Sequence, residues 1–266
     1  MSPGMTPRLT LDAGVAVALG VSAAVALFGP LAAALVFRRR TGAPWLALGA
    51  GALTFFVSQC VLRLPWQIGV GVWLKDDFAK SSALAMAWVV FSCLTAGLFE
   101  ETGRWLAFRR ALTAERSWRA GVMFGLGHGG LEAMLLIGLS LAGNLVLYVL
   151  LASGAALPLP AEALDAVTKQ FAALTPALAL MGGLERISSM CVHVALSLAV
   201  LRAVRDRSPR WYWAAVAFHA LSNFAGVTAT KAWGAFAGEA VIGVFAVAAV
   251  AFVLAERQRP AAMNAP

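Results

Sequence analysis

Residues 81–110 read SSALAMAWVVFSCLTAGLFEETGRWLAFRR, and this stretch decides what kind of fold the chain has. Positions 81–99 carry no charge, yet the run closes on Glu100, Glu101 and Arg104 before the pair Arg109-Arg110. An uncharged run of that length is what a bilayer-spanning helix requires. Inside hydrocarbon an ionisable group costs about 2.5 kcal/mol or more unless it faces protein or trapped water. Two neighbouring carboxylates at the end of such a run therefore need partners from other segments. His128, His193 and His219, each in a later apolar segment, are the candidates.

Outward from this stretch the composition has the same character. Of the 266 residues 61% are apolar and 13% charged, with a mean hydropathy of +0.79. The expected fold is an all-α membrane protein, a single polytopic bundle in a bacterial cytoplasmic membrane, because backbone polar groups in lipid must be satisfied within each helix. Seven spans are expected, over residues 11–37, 43–64, 81–108, 120–151, 176–201, 211–229 and 232–254. The fourth run, about 48 Å as straight helix, exceeds a hydrocarbon core of roughly 30 Å. It must tilt, protrude or break. The glycines of Gly125-Leu126-Gly127-His128-Gly129-Gly130 are the weak point, and a break there would bring the count to eight. Residues 153–175 form a loop with Pro158 and Pro160 and a short amphipathic helix around Glu162 to Phe171.

The net charge of +8 does not signal nucleic acid, because the bases sit in short clusters between apolar runs. They read as topology signals. Fourteen of the 21 Lys and Arg fall on one side of the seven-span model, including Arg38 to Arg40, Arg104, Arg109, Arg110, Arg202 and Arg257. Five fall on the other side, Arg8, Lys75, Lys80, Lys169 and Lys231, and Arg63 and Arg186 lie within spans. The N-terminus is expected outside and the C-terminus in the cytoplasm. Cys60, Cys93 and Cys191 are odd in number and all intramembrane, so they read as small core residues rather than a disulfide framework.

Topology also supplies depth. Glu100 lies nine residues before Arg109, His128 nine after Arg119, His193 nine before Arg202 and His219 nine after Arg210. At 1.5 Å per residue all four sit roughly 13 to 14 Å in from the cytoplasmic arginines. Four ionisable side chains from four spans at one level can converge on a single point, in the cytoplasmic half of the membrane. Local spacing places Glu100 with Arg104, His128 with Glu132, and His219 with Asn223 on common helical faces, and aligns Glu185, Ser189 and His193 as a polar stripe. Glu132 is expected to orient His128, Glu185 to pair with Arg186, and Glu239 to be an interfacial or packing residue.

Phe99-Glu100-Glu101-Thr102-Gly103-Arg104, then Phe124 through Glu132, then His193, then His219-Ala220-Leu221-Ser222-Asn223 resemble the YhfC family of intramembrane proteases. More distantly they resemble the CAAX-processing and bacteriocin-immunity membrane proteases. The resemblance implies hydrolysis of a peptide bond in a membrane protein or peptide, with Glu100 or Glu101 and His128 activating water and with His219 and Asn223 stabilising the oxyanion. Arg104, Glu132 and His193 are supporting groups in that reading, and no cofactor is needed. In the wider family three residues separate the glutamate pair from the arginine, and here two do. If Arg104 takes Glu100 one full turn away, Glu101 is the base; if it takes Glu101 at i+3, Glu100 is.

Two other classes fit the same residues. A zinc hydrolase would take His128, His193 and His219 as ligands, with Glu101 or Glu100 completing the set. A carrier or channel would use the polar core as an ion path, but the sequence has no internal repeat of the kind many carriers show.

Overall fold

The computed structural model of the chain describes residues 9–259, all helix and connecting turns among those residues. Nine helices follow one another there: α1 (Ala13–Thr41), α2 (Trp45–Trp73), the short α3 (Lys75–Lys80), α4 (Ser82–Ala111), α5 (Trp118–Ala152), α6 (Ala161–Ala172), α7 (Pro176–Arg205), α8 (Pro209–Trp233) and α9 (Ala235–Gln258). Six of them, α1, α2, α4, α5, α7 and α9, are long and apolar enough to cross a membrane. The remaining long helix, α8, has 25 residues and packs between α4 and α9. Its hydropathy is lowered by polar residues within it, among them His219, Ser222 and Asn223.

Helix ends follow ordinary capping rules. Asp12 Oδ1 accepts from the amides of Gly14 and Val15 to start α1, and Gly42, at φ 69°, closes it by donating to the Arg38 carbonyl. Thr175 caps α7 ahead of Pro176. The expected short helix over Glu162 to Phe171 is α6. The second span runs to Trp73, nine residues past its expected end at 64, because Pro65 falls at the start of a fresh helical turn.

The fourth run does not break at its glycines. Helix α5 passes straight through Gly125–Gly130, and no additional span arises among the described residues. Those glycines are contact points instead. A Cβ on Gly125 would lie 2.5 Å from the Val194 Cα of α7, and one on Gly51 of α2 would lie 3.0 Å from the His128 amide nitrogen. Glycine here lets α2 and α7 reach the α5 backbone, the close approach that small residues give membrane helices. The irregular turns lie elsewhere: π-helical segments at Phe56–Arg63 in α2, Ala107–Ala111 in α4 and Ala133–Gly138 in α5. Such turns insert one extra residue and re-aim the side chains that follow, and they often mark functional sites.

One layer of packing positions the site. Phe108, Leu112, Met123, Phe124, Val200 and Leu201 are all fully buried at the arginine-rich end of the bundle and belong to one apolar cluster. Phe108 and Phe124 meet with ring centroids 4.6 Å apart. The arginine-bearing ends are tied together there: Arg119 donates to the Thr41 carbonyl at 2.7 Å, and Arg202 pairs with Glu256 at 2.7 Å. Arg104 is not one of these end residues. It was counted above with the cytoplasmic arginines, but it is completely buried in the centre of the bundle, and Arg8 lies outside the described residues.

Candidate active site

Helices α2, α4, α5, α7 and α8 bring Gln59, Glu100, Glu101, Arg104, His128, His193 and His219 to one place. Glu101, Arg104 and His128 have no exposed surface, and Glu100, His193 and His219 have at most 4%. Ring centroids of His128 and His193 are 5.4 Å apart, and those of His193 and His219 are 5.7 Å apart. The convergence inferred from equal depth is thus observed, and each group has a distinct set of partners.

Glu100 is held on both oxygens. Its Oε2 lies 2.8 Å from His128 Nε2 and 3.4 Å from Arg104 Nη2, while its Oε1 accepts from the Gln59 amide. Gln59 in turn accepts from Arg63 at 2.8 Å, and Arg63 donates to the Ser92 carbonyl at 2.6 Å. Glu101 accepts from Arg104 Nη1 and lies 2.7 Å from His219 Nδ1. Arg104 therefore spans both carboxylates, with its close contact to Glu101, the i+3 alternative of the two left open by spacing.

Proton positions follow from donor chemistry. A guanidinium can only donate, so His193 Nδ1, 2.8 Å from Arg104 Nη2, accepts, and the proton of His193 sits on Nε2. That Nε2 faces Glu132 Oε2 at 2.8 Å. Here the structure corrects the expected pairing. Glu132 meets His193, not His128, because α7 brings both His193 and Arg186 against its carboxylate, at 2.8 and 3.4 Å. Arg186 bridges Glu132, at 3.4 Å, and its chain neighbour Glu185, so the expected Glu185–Arg186 pair is present with an extra partner. His128 Nδ1 is buried with no hydrogen-bond partner, its ring edge-on to Phe55 at 5.5 Å. His219 keeps Nε2 toward Glu100 Oε1 at 3.7 Å, too long for a direct hydrogen bond.

A cavity of about 680 Å³ opens from this cluster. Glu100, His193 and His219 form its inner wall, whereas Glu101, Arg104 and His128 stand behind that wall. Farther along it are Asn223, Ser189, Glu132 and Glu185. Asn223 is thus brought to the cavity but makes no hydrogen bond to the buried cluster in this structure. Glu239 also lines the cavity, and its Oε2 is buried without a partner. The three cysteines are free, and Cys93 lies on the cavity wall.

Two members of this site went unassigned in the sequence, Gln59 and Arg63. They are polar residues one turn apart inside the otherwise apolar second span, a signal of the same kind as the one that flagged Glu100 with Arg104. The group whose ligand atoms could share one cation is Glu100, His128 and His193, within 4.8 Å of one another, rather than the set His128, His193, His219 and Glu101 expected from sequence. His219 and Glu101 are instead engaged with each other.

Comparison with known proteins identifies the family. A family model described as YhfC intramembrane metalloprotease matches residues 22–246. Over 220 residues the chain is 34% identical to the Bacillus subtilis (strain 168) protein named "Uncharacterized membrane protein YhfC", covering 77% of this chain and 81% of that one. No solved structure matches. With the match running from within α1 to within α9 and taking in every residue of the buried cluster, the chain belongs to the YhfC intramembrane metalloprotease family.

Proposed function

We propose that this membrane protein is an intramembrane peptidase whose base is Glu100, and that it hydrolyses a peptide bond in a membrane-embedded or membrane-associated protein segment. One observation carries the reading. Of the two adjacent carboxylates, only Glu100 faces the cavity, and it does so while its oxygens are oriented by His128, Arg104 and Gln59. A base must be within reach of the proton that it takes, and Glu101, sealed behind the wall and clasped by Arg104 and His219, is not.

In this scheme Glu100 removes a proton from water and the resulting hydroxide attacks the carbonyl carbon. His219, as an imidazolium whose Nδ1–H donates to Glu101, donates from Nε2 to the developing oxyanion together with Asn223. The C–N bond then breaks as the proton held by Glu100 passes to the leaving amine. His128 holds Glu100 from behind, and His193, pinned between Glu132 and Arg104, fixes the guanidinium. Seven spans, with the N-terminus outside and the C-terminus in the cytoplasm, complete the proposal, α8 counting as the sixth span.

The second reading is a metal-dependent hydrolase, favoured by the family's description and by the donor set Glu100, His128 and His193. Two imidazoles and a carboxylate fit zinc by type and spacing, and those three residues would hold it. A bound zinc would supply Lewis acidity and a water of lowered pKa. Arg104 counts against this reading, because its guanidinium lies 2.8 Å from His193 Nδ1 and 3.4 Å from Glu100 Oε2 and would have to withdraw before a cation could enter. A carrier or channel has less support, since the fully buried cluster around Phe108, Phe124 and Leu201 closes the arginine-rich side of the site.

The test is purification in detergent, metal analysis, and cleavage of a library of membrane-segment peptides by the parent, Glu100→Gln and Glu101→Gln proteins. Cleavage that survives chelation, disappears with Glu100→Gln and persists at a reduced rate with Glu101→Gln is expected. Stoichiometric zinc with chelator-sensitive cleavage would move the assignment to the metal reading.

A further inference from the structure

The direction in which the cavity leaves the site is the same on all six helices that line it. On α4 the lining residues Ser92, Cys93 and Ala96 precede Glu100, whereas the arginines Arg109 and Arg110 follow it. On α8 the lining runs from His219 through Asn223 and Val227 to Lys231, away from Arg210. On α7 it runs from His193 back through Ser189 to Glu185, away from Arg202 and Arg205. Helix α5 contributes Glu132 and Leu136, both beyond His128 and farther from Arg119. Helix α2 contributes Phe55 to Leu64, at the end remote from Arg38 to Arg40, and α9 contributes Ala235 to Ile242, at the end remote from Arg257. No lining residue lies on the arginine side of the cluster, and that side is where Phe108, Met123, Phe124, Val200 and Leu201 are packed without exposed surface.

The arginine-rich end is the cytoplasmic one by the charge bias of membrane proteins. We infer that the site, although nearer the cytoplasmic end in depth, is fed from the non-cytoplasmic face, and that its substrate is an extended stretch of polypeptide reaching in from that face: the outward tail or loop of an exported or membrane-anchored protein. This rests on the peptidase reading for the word substrate, but not for the direction of access. From His219 to Lys231 the cavity follows α8 for twelve residues, roughly 18 Å at 1.5 Å per residue, a depth that takes about five residues of extended chain. Its walls suit such a segment rather than a lipid chain. Gln59, Ser189, Asn223 and Thr230 offer hydrogen-bonding groups along the path, and both signs of charge are present, in Glu185 and Glu239 and in Arg186 and Lys231. An extended peptide carries one donor and one acceptor on almost every residue, all of which need partners inside the membrane. A prenyl or acyl tail would leave those groups unsatisfied.

Sidedness can be read without any knowledge of the substrate. Single cysteines are added to the full chain at Ser189, deep in the cavity, and at Thr230, near its mouth, with Asp76→Cys as the outer-face control and Ala114→Cys as the cytoplasmic control. A membrane-impermeant charged maleimide is applied to spheroplasts and, separately, to inverted vesicles, and the added label is scored by mass against the parent with its three native cysteines. Ser189→Cys and Thr230→Cys should label in spheroplasts with Asp76→Cys, while Ala114→Cys labels only in inverted vesicles. Labelling of Ser189→Cys only together with Ala114→Cys would overturn the inference, as would labelling only after denaturation, or a swap of the two controls. Absence of peptide cleavage in a separate assay would sink the peptidase reading and leave the direction of access standing.

Discussion

Replacing Arg104 with Met removes one guanidinium from a site with two carboxylates and no exposed surface on the arginine itself. Glu100 would keep His128 at 2.8 Å and its bond from Gln59, whereas Glu101 would keep only His219, at 2.7 Å. His193 would lose the donor at its Nδ1. Breaking a buried ion pair by deleting one partner costs about 3 to 5 kcal/mol, because the remaining charge stays desolvated. For a chain of this size that corresponds to a fall in unfolding temperature on the order of 10 °C. The assay is intrinsic fluorescence of the nine tryptophans during heating in detergent, together with the yield from membranes. A companion double variant, Arg104→Met with Glu101→Gln, replaces the stranded carboxylate by a neutral amide and should recover about 1 kcal/mol or more of the loss, the range in which contacting residues couple. An Arg104→Met protein that unfolds at the parent temperature and in normal yield would mean that the carboxylates are hydrated, and the description of a dry, clasped pair would be wrong.

Gln59→Leu removes the donor to Glu100 Oε1 and should cost about 1 to 3 kcal/mol in stability, with peptide cleavage reduced roughly tenfold or more as the base loses its fixed orientation. Glu132→Gln should leave cleavage measurable, because it loosens His193 rather than the base; complete loss equal to that of Glu100→Gln would place His193 in the chemistry itself. Gly125→Ala puts a methyl group 2.5 Å from the Val194 Cα, so backbone must move and a destabilisation of about 1 to 3 kcal/mol is expected. A parent-like unfolding temperature would show that α5 and α7 are not in close contact there. Reporter fusions after Arg207 should report cytoplasm and fusions near Leu164 the outer face, and the reverse would invert the bundle.

Much of this arrangement was legible because intramembrane polar residues are costly and so rarely incidental. Glu100, His128, His193 and His219 could be placed at one depth by counting from the nearest arginines, and the structure brings all four together. The counting worked because each segment is unbroken helix between its arginine-bearing end and the site. Spacing along a single helix was a weaker guide to partners, because it cannot see which groups a neighbouring helix brings up. Glu132, one turn from His128 in sequence, meets His193 and Arg186 instead, because α7 packs both groups against its carboxylate. The glycines of α5 misled for a related reason. Low helix propensity suggests a break in isolation, but in a bundle the same lack of side chain lets neighbouring backbones come close, and packing outweighs propensity. Arg104 was misplaced by charge counting, which treats every arginine near a span end as a topology signal and cannot see that this one has two carboxylates to meet.

The two-residue gap between the glutamates and Arg104 also explains why both carboxylates are kept. With this spacing the arginine is at i+4 from Glu100 and i+3 from Glu101, and both positions are helical neighbours, so one guanidinium can reach either carboxylate. It cannot satisfy both equally: the structure gives Nη1 to Glu101 and leaves Glu100 a 3.4 Å contact with Nη2. Glu101 thus takes the close contact with the guanidinium and, from behind the cavity wall, holds Nδ1 of His219, which lines the cavity. Glu100 is left partly neutralised and shared among Gln59, His128 and the far edge of Arg104. A carboxylate fully clasped by arginine would be a poor proton acceptor, and one with no cation nearby would be too costly to bury ionised. In the proposed mechanism, splitting the pair between these roles keeps one carboxylate buried, oriented and free to act as the base.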